Sequence, residues 1–150
     1  MPISIDSMMM REMMMDHYDN PRNKEEVKDS RYKSIRMNSS SCIDDITVQV
    51  LLNKDVIEDV KWFGTACVIS TAATSVMSEL VKGKTLKEAA DLMDNYMKML
   101  ESQPYDQDKL QEAIIFQNVG RQASRIGCAT IGWRGLFQAV VKEDGKEGDK

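Results

Sequence analysis

From Ile46 to Leu52 apolar residues recur at every second position, and after Gly64 they keep a helical period. That switch constrains the fold more than any other feature. Ile46, Val48, Val50 and Leu52 alternate with more polar neighbours, the pattern of a half-buried strand. Asn53-Lys54-Asp55 supplies a turn and residues 56–63 return as the next strand, which predicts a hairpin closed by Gly64. Residues 32–38 read as a further strand.

Beyond Gly64 the chain is helical. Over residues 67–81, Val68, Ala72, Val76 and Leu80 recur every four positions, and Ile69, Ala73 and Met77 widen the stripe. Gly83 is placed for a left-handed cap. Thr85 with Glu88 three residues later is a capping-box pattern, opening a helix whose expected buried face is Leu86, Ala89, Ala90, Met93, Met97 and Leu100. Gln103-Pro104-Tyr105 interrupts. A shorter helix over 108–118 presents Leu110, Ala113 and Ile114, residues 120–127 read as a loop or short turn, and a last helix begins at Cys128. It places Ala129, Trp133, Leu136, Phe137 and Val140 on one face. Upstream of the strands, residues 8–18 form a helix that stops at Asn20-Pro21, and the charged residues 22–31 read as an exposed connector. The methionines at 8–10 and 13–15 suit an adaptable helix face packed on the domain.

A chain of 150 residues is long enough for one domain with a real core, and no internal repeat divides it, so 1–150 reads as a single domain with a charged tail at 143–150. A net charge of −4 without a dense basic patch speaks against nucleic acid as a partner. No apolar run approaches the roughly 18 residues of a membrane span. The N-terminus lacks the charged and apolar regions of a secretory signal, which predicts a cytoplasmic protein. Three widely spaced cysteines do not make a disulfide framework. In a reducing compartment, free or metal-bound thiolates are the expectation.

Those cysteines are the candidate chemistry. Cys42 and Asp44 lie two apart in an extended stretch, so their side chains leave on one side. Cys67 and Cys128 each fall where a helix is expected to begin, a position that stabilises a thiolate, and Arg125 adds a positive charge just upstream of Cys128. Cys42, Asp44, Cys67 and Cys128 make four ligands, the number zinc prefers. His17 is not needed to complete the set. The cysteines also fit ordinary buried positions on amphipathic helices, and spacing alone leaves both readings open.

Four segments add a resemblance. Residues 16–23 (Asp-His-Tyr-Asp-Asn-Pro-Arg-Asn), Cys42-Ile43-Asp44, residues 64–70 and residues 125–133 occur in the order found in the SufU branch of the SufU/IscU-like (NifU N-terminal-like) iron–sulfur assembly proteins, which the chain resembles over roughly residues 8–139. Gly127 stands where the scaffold branch has a histidine, residues 118–124 lack that branch's proline motif, and residues 85–118 look like the SufU extension. The resemblance implies an α+β fold, a small three-stranded antiparallel sheet packed against helices.

It also implies a zinc-dependent sulfurtransferase. Cys42 would accept persulfide sulfur from a cysteine desulfurase of the SufS type, and Asp44, Cys67 and Cys128 would hold Zn2+ with it. The sulfur would then pass to downstream iron–sulfur assembly proteins. A zinc-bound thiolate is a weakened nucleophile, so Cys42 is expected to leave the metal when the desulfurase docks. Two other readings use the same residues: a scaffold carrying a transient iron–sulfur cluster, and a purely structural zinc module. Three positions depart from the family: Ile43 replaces a glycine, Ala66 replaces another, and Ser39-Ser40-Ser41 lacks the usual proline.

Overall fold

The structure is a computed structural model and describes residues 7–38 and 43–144. In chain order the elements are α1 (Ser7–Asp19), β1 (Lys33–Asn38), β2 (Asp45–Asn53), β3 (Val56–Thr65), α2 (Val68–Val81), α3 (Leu86–Leu100), α4 (Gln107–Leu110), two 3-10 segments (Gln111–Phe116 and Val119–Arg121) and α5 (Ala123–Asp144). The strands form one antiparallel sheet in the order β1-β2-β3, so the α+β expectation holds. No helix among the described residues is long and apolar enough to cross a membrane.

The alternation in β2 produces the expected packing: Ile46, Val48 and Val50 are fully buried. It fails at Leu52, which is only half-buried while Leu51 is buried. A bulge between Leu51 and Leu52 shifts the register there, and one extra residue reverses which side chains face the core. On the opposite face of β2, the Gln49 amide donates to the Val27 carbonyl at 2.9 Å and its oxygen accepts from the Val27 N–H at 2.8 Å. Residues 22–31 are therefore not simply an exposed connector. Asn23 and Glu25 exchange backbone hydrogen bonds with Trp62 of β3, and the Trp62 indole N–H donates to the Arg22 carbonyl.

In the helical layer α5 packs over β1 and β2, α2 over β3, and α1 on the outside of α2. The capping box of Thr85 and Glu88 is present, and Gly83 follows α2 at φ +87°. The buried face of α3 is Ala89, Leu92, Asn95, Tyr96, Met99 and Leu100; of the expected stripe, Ala90 is exposed and Met93 and Met97 are half-buried. Tyr96 accounts for the rotation. Its ring stacks on Trp133 at 4.9 Å, meets Phe116 edge-on at 6.3 Å, and its hydroxyl donates to the Ala129 carbonyl at 2.8 Å. The helix expected over 108–118 is instead α4 followed by a 3-10 segment, broken where Gln111 takes φ +46°. Ala113, Ile114, Ile115 and Phe116 are nonetheless buried.

Helix α5 begins at Ala123, five residues before the expected start, and takes in residues 143–144 that the sequence assigns to the tail; residues 145–150 lie outside the described ones. It crosses α2 closely at Gly132, where an added Cβ would lie 2.4 Å from Thr74 Oγ1. That hydroxyl is the one buried side-chain polar atom without a hydrogen-bond partner among the described residues. A second close approach is at Gly64, whose φ is +127° and whose Cβ would fall 2.1 Å from the Asp45 carbonyl oxygen.

Two stability outcomes follow, both measurable by chemical denaturation. Gly64→Ala should lose at least about 1–3 kcal/mol through its backbone conformation alone. Thr74→Val should gain about 1 kcal/mol by removing an unpaired buried hydroxyl.

Candidate metal centre

The hairpin register builds the first half of the site. Asp45 pairs with Thr65 and Ile46 with Gly64, so the residue before β2 lies beside the residues that follow β3. Asp44, only 2% exposed, thereby reaches the start of α2. Its Oδ1 accepts the Cys67 N–H at 2.9 Å and its Oδ2 accepts the Ser70 hydroxyl. Cys67 is the N-cap of α2, with extended backbone (φ −70°, ψ 173°), and its sulfur accepts the Ser70 N–H at 3.4 Å. Helix N-termini leave N–H groups without intrahelical partners. Here a carboxylate and a sulfur take two of them.

The second half comes from α5. Cys128 is 6% exposed, and the α2–α5 crossing brings it to Asp44 and Cys67. One ligand atom from each of the three residues lies within 4.8 Å of the others. Cys128 does not sit at a helix start, because α5 opens at Ala123 and Cys128 occupies its second turn. Burial, and after it the neighbouring Cys67, push its thiol up from 9.0 to about 12, with Asp44 adding to the rise and a Ser70 hydrogen bond opposing it. The thiolate-stabilising helix terminus expected for Cys128 is thus replaced by an environment that favours the neutral thiol. Arg125 is exposed on the first turn of α5. Cys42 lies outside the described residues; its neighbour Ile43 is 64% exposed.

Sequence reasoning missed Ser70. It is fully buried and touches both Asp44 and Cys67. The available signal was a serine three residues after an N-cap position, where its N–H and hydroxyl turn back to the cap. His17, not needed for the four-ligand set, is also fully buried. Its Nδ1 lies 2.7 Å from Ser75 Oγ and its Nε2 3.2 Å from Glu112 Oε1, which ties α1 to α2 and to the first 3-10 segment. Glu79 completes a second grouping with His17 and Glu112, and the Arg22 guanidinium reaches Glu79 at 3.9 Å. A cleft of about 400 Å³ bounded by Tyr18, Asp19, Lys24, residues 64–66 and Thr71 opens beside Ala66. The larger cavity, about 580 Å³ between α3 and residues 108–111, includes no member of the cysteine cluster.

A three-stranded antiparallel sheet under helices, with a buried aspartate and two cysteines at one end, defines the class to which the chain belongs. Residues 9–150 match the NifU-like N terminal domain, and the chain is a member of that family. Among its relatives, a Bacillus subtilis protein named zinc-dependent sulfurtransferase SufU is 37% identical over 136 residues, covering 90% of this chain and 91% of that protein. A Streptococcus pyogenes protein named iron-sulfur cluster assembly scaffold protein IscU is 34% identical, covering 73% and 70%. A crystal structure from Fervidobacterium islandicum, described as a putative iron-sulfur cluster assembly scaffold protein for the SUF system, superposes with a TM-score of 0.78 at 32% identity, covering 85% and 93%. A NifU-like N-terminal domain from Brucella abortus shares the fold at 19% identity, with a TM-score of 0.77 and 89% and 93% coverage.

The raised Cys128 pKa has two outcomes in metal-stripped protein. Its contribution to stability is complete below about pH 9 and is lost as pH rises toward about 12, which a denaturation series across that range would record. At pH 8, alkylation of Cys128 followed by mass spectrometry should run at least about tenfold slower than that of an unstructured peptide cysteine, because the thiolate is the reactive form.

Proposed function

We propose that this chain is a zinc-dependent sulfurtransferase of the cytoplasm, accepting persulfide sulfur from a SufS-type cysteine desulfurase and relaying it to iron–sulfur cluster assembly. The observation that carries the reading is the convergence of buried Asp44 and Cys128 with half-buried Cys67. Two sulfurs and one carboxylate oxygen form a donor set that suits zinc, whereas magnesium or calcium would call for oxygen alone. Asp44, Cys67 and Cys128 would hold the ion, with Cys42 as fourth ligand, and Arg125 would offset the surplus negative charge. When bound, zinc supplies the positive charge that keeps thiolates deprotonated without redox chemistry of its own. Without the ion, burial and the neighbouring Cys67 favour the neutral Cys128 thiol.

The chain's own residues divide the work. Asp44 is held by two hydrogen bonds and acts as an anchor. Cys42 is the acceptor: its thiolate attacks the outer sulfur of the donor persulfide, one S–S bond forms and one breaks, and the desulfurase cysteine leaves as thiolate. No external oxidant is required. Gly127 in the place of the scaffold branch's histidine favours sulfur transfer over cluster assembly on these ligands.

Freshly purified protein should be colourless with one zinc per chain. Cys42→Ala should reduce sulfur transfer from a cognate desulfurase to background, followed as labelled persulfide on the protein. Brown protein carrying iron and sulfide would establish the scaffold reading instead, and normal sulfur acceptance by Cys42→Ala would remove Cys42 from the mechanism.

A further inference from the structure

We infer that Ser70 is a positioning residue of this centre: its hydroxyl fixes the Asp44 carboxylate in the orientation from which it joins Cys67 and Cys128 in holding a divalent metal ion. The inference rests on the metal-binding reading above and adds a residue to it.

The geometry is specific to Ser70. It is the third residue of α2 and is fully buried. Its N–H donates to Cys67 Sγ at 3.4 Å, its Oγ lies 3.3 Å from the same sulfur, and its hydroxyl donates to Asp44 Oδ2. The other carboxylate oxygen, Oδ1, is taken by the Cys67 N–H at 2.9 Å. A carboxylate held at both oxygens cannot turn about its Cβ–Cγ bond, so the plane of Asp44 is set before any ion arrives. Remove the Ser70 hydroxyl and one oxygen of a buried carboxylate loses its donor. Asp44 is then free to rotate, and the distances to both sulfurs are no longer defined.

Hydroxyls that orient a ligand in this way typically change metal affinity rather than fold, by about 10–100-fold. Other buried hydroxyls on α2 have different duties. Ser78, also fully buried, donates to the Ser75 carbonyl at 2.7 Å and takes no part in the cluster. It is therefore the control.

The test is zinc affinity of the full-length protein, measured by competition with a chromophoric chelator, for wild type, Ser70→Ala, Ser70→Thr, Ser78→Ala and Cys67→Ser. Ser70→Ala should bind zinc about 10–100-fold more weakly, and its cobalt-substituted form should show displaced d–d bands. Ser78→Ala should match wild type in both. A folded Ser70→Thr should recover most of the affinity because it keeps the hydroxyl. If Ser70→Ala binds as tightly as wild type with unchanged cobalt bands, or Ser78→Ala loses as much, the positioning role is overturned while the metal site stands. If wild type binds no zinc, or Cys67→Ser binds it equally well, the metal-binding reading falls and this inference with it.

Discussion

The last two rungs of the β2–β3 ladder decide whether the cluster can exist. Asp45 opposite Thr65 and Ile46 opposite Gly64 place Asp44 beside Cys67, and the pairing tolerates only glycine at 64 because the Asp45 carbonyl occupies the space of a side chain. A slip of one residue would turn Asp44 to the other face. The bulge at Leu51 and Leu52 lies nearer the turn, so its irregularity is spent away from the site and the ladder is regular where the cluster depends on it.

Around that anchor the electrostatics run against the unassisted chain. A carboxylate, Asp44, and a thiol, Cys128, are both buried. Hydrogen bonds from Cys67 N–H and Ser70 compensate the carboxylate. At Cys128, burial and the neighbouring Cys67 outweigh the opposing Ser70 hydrogen bond, and the pKa rises. The two halves of the cluster thus differ: Asp44 is held at both oxygens, and Cys128 favours the neutral thiol.

Much of this was legible in the sequence, and the gaps have physical causes. The hairpin, the capping box and the left-handed Gly83 are local signals, written in neighbouring residues. The face of α3 was misread because Tyr96 turns to meet Trp133 and Phe116, partners distant in sequence. The start of α5 was misplaced because Gly127 reads as a breaker, although no neighbour lies within 4 Å of where its side chain would be. Residues 22–31 looked solvated by composition, yet their backbone completes hydrogen bonds of Trp62 that side-chain patterns do not reveal. At the site, Asp44, Cys67 and Cys128 could be picked out by residue type and by resemblance. Ser70 could not, since a serine on an apolar helix carries no mark of what its hydroxyl meets.

The crossing of α2 and α5 also sets how the cluster is put together. Asp44 is linked by hydrogen bonds to Cys67 and Ser70 across the β2–β3 hairpin and the first turn of α2. Cys128 is held by the docking of a distant helix, at a seam that already contains the unpaired hydroxyl of Thr74. The cluster therefore joins two parts of the chain: one hairpin-and-helix unit supplies Asp44, Ser70 and Cys67, and α5 supplies Cys128.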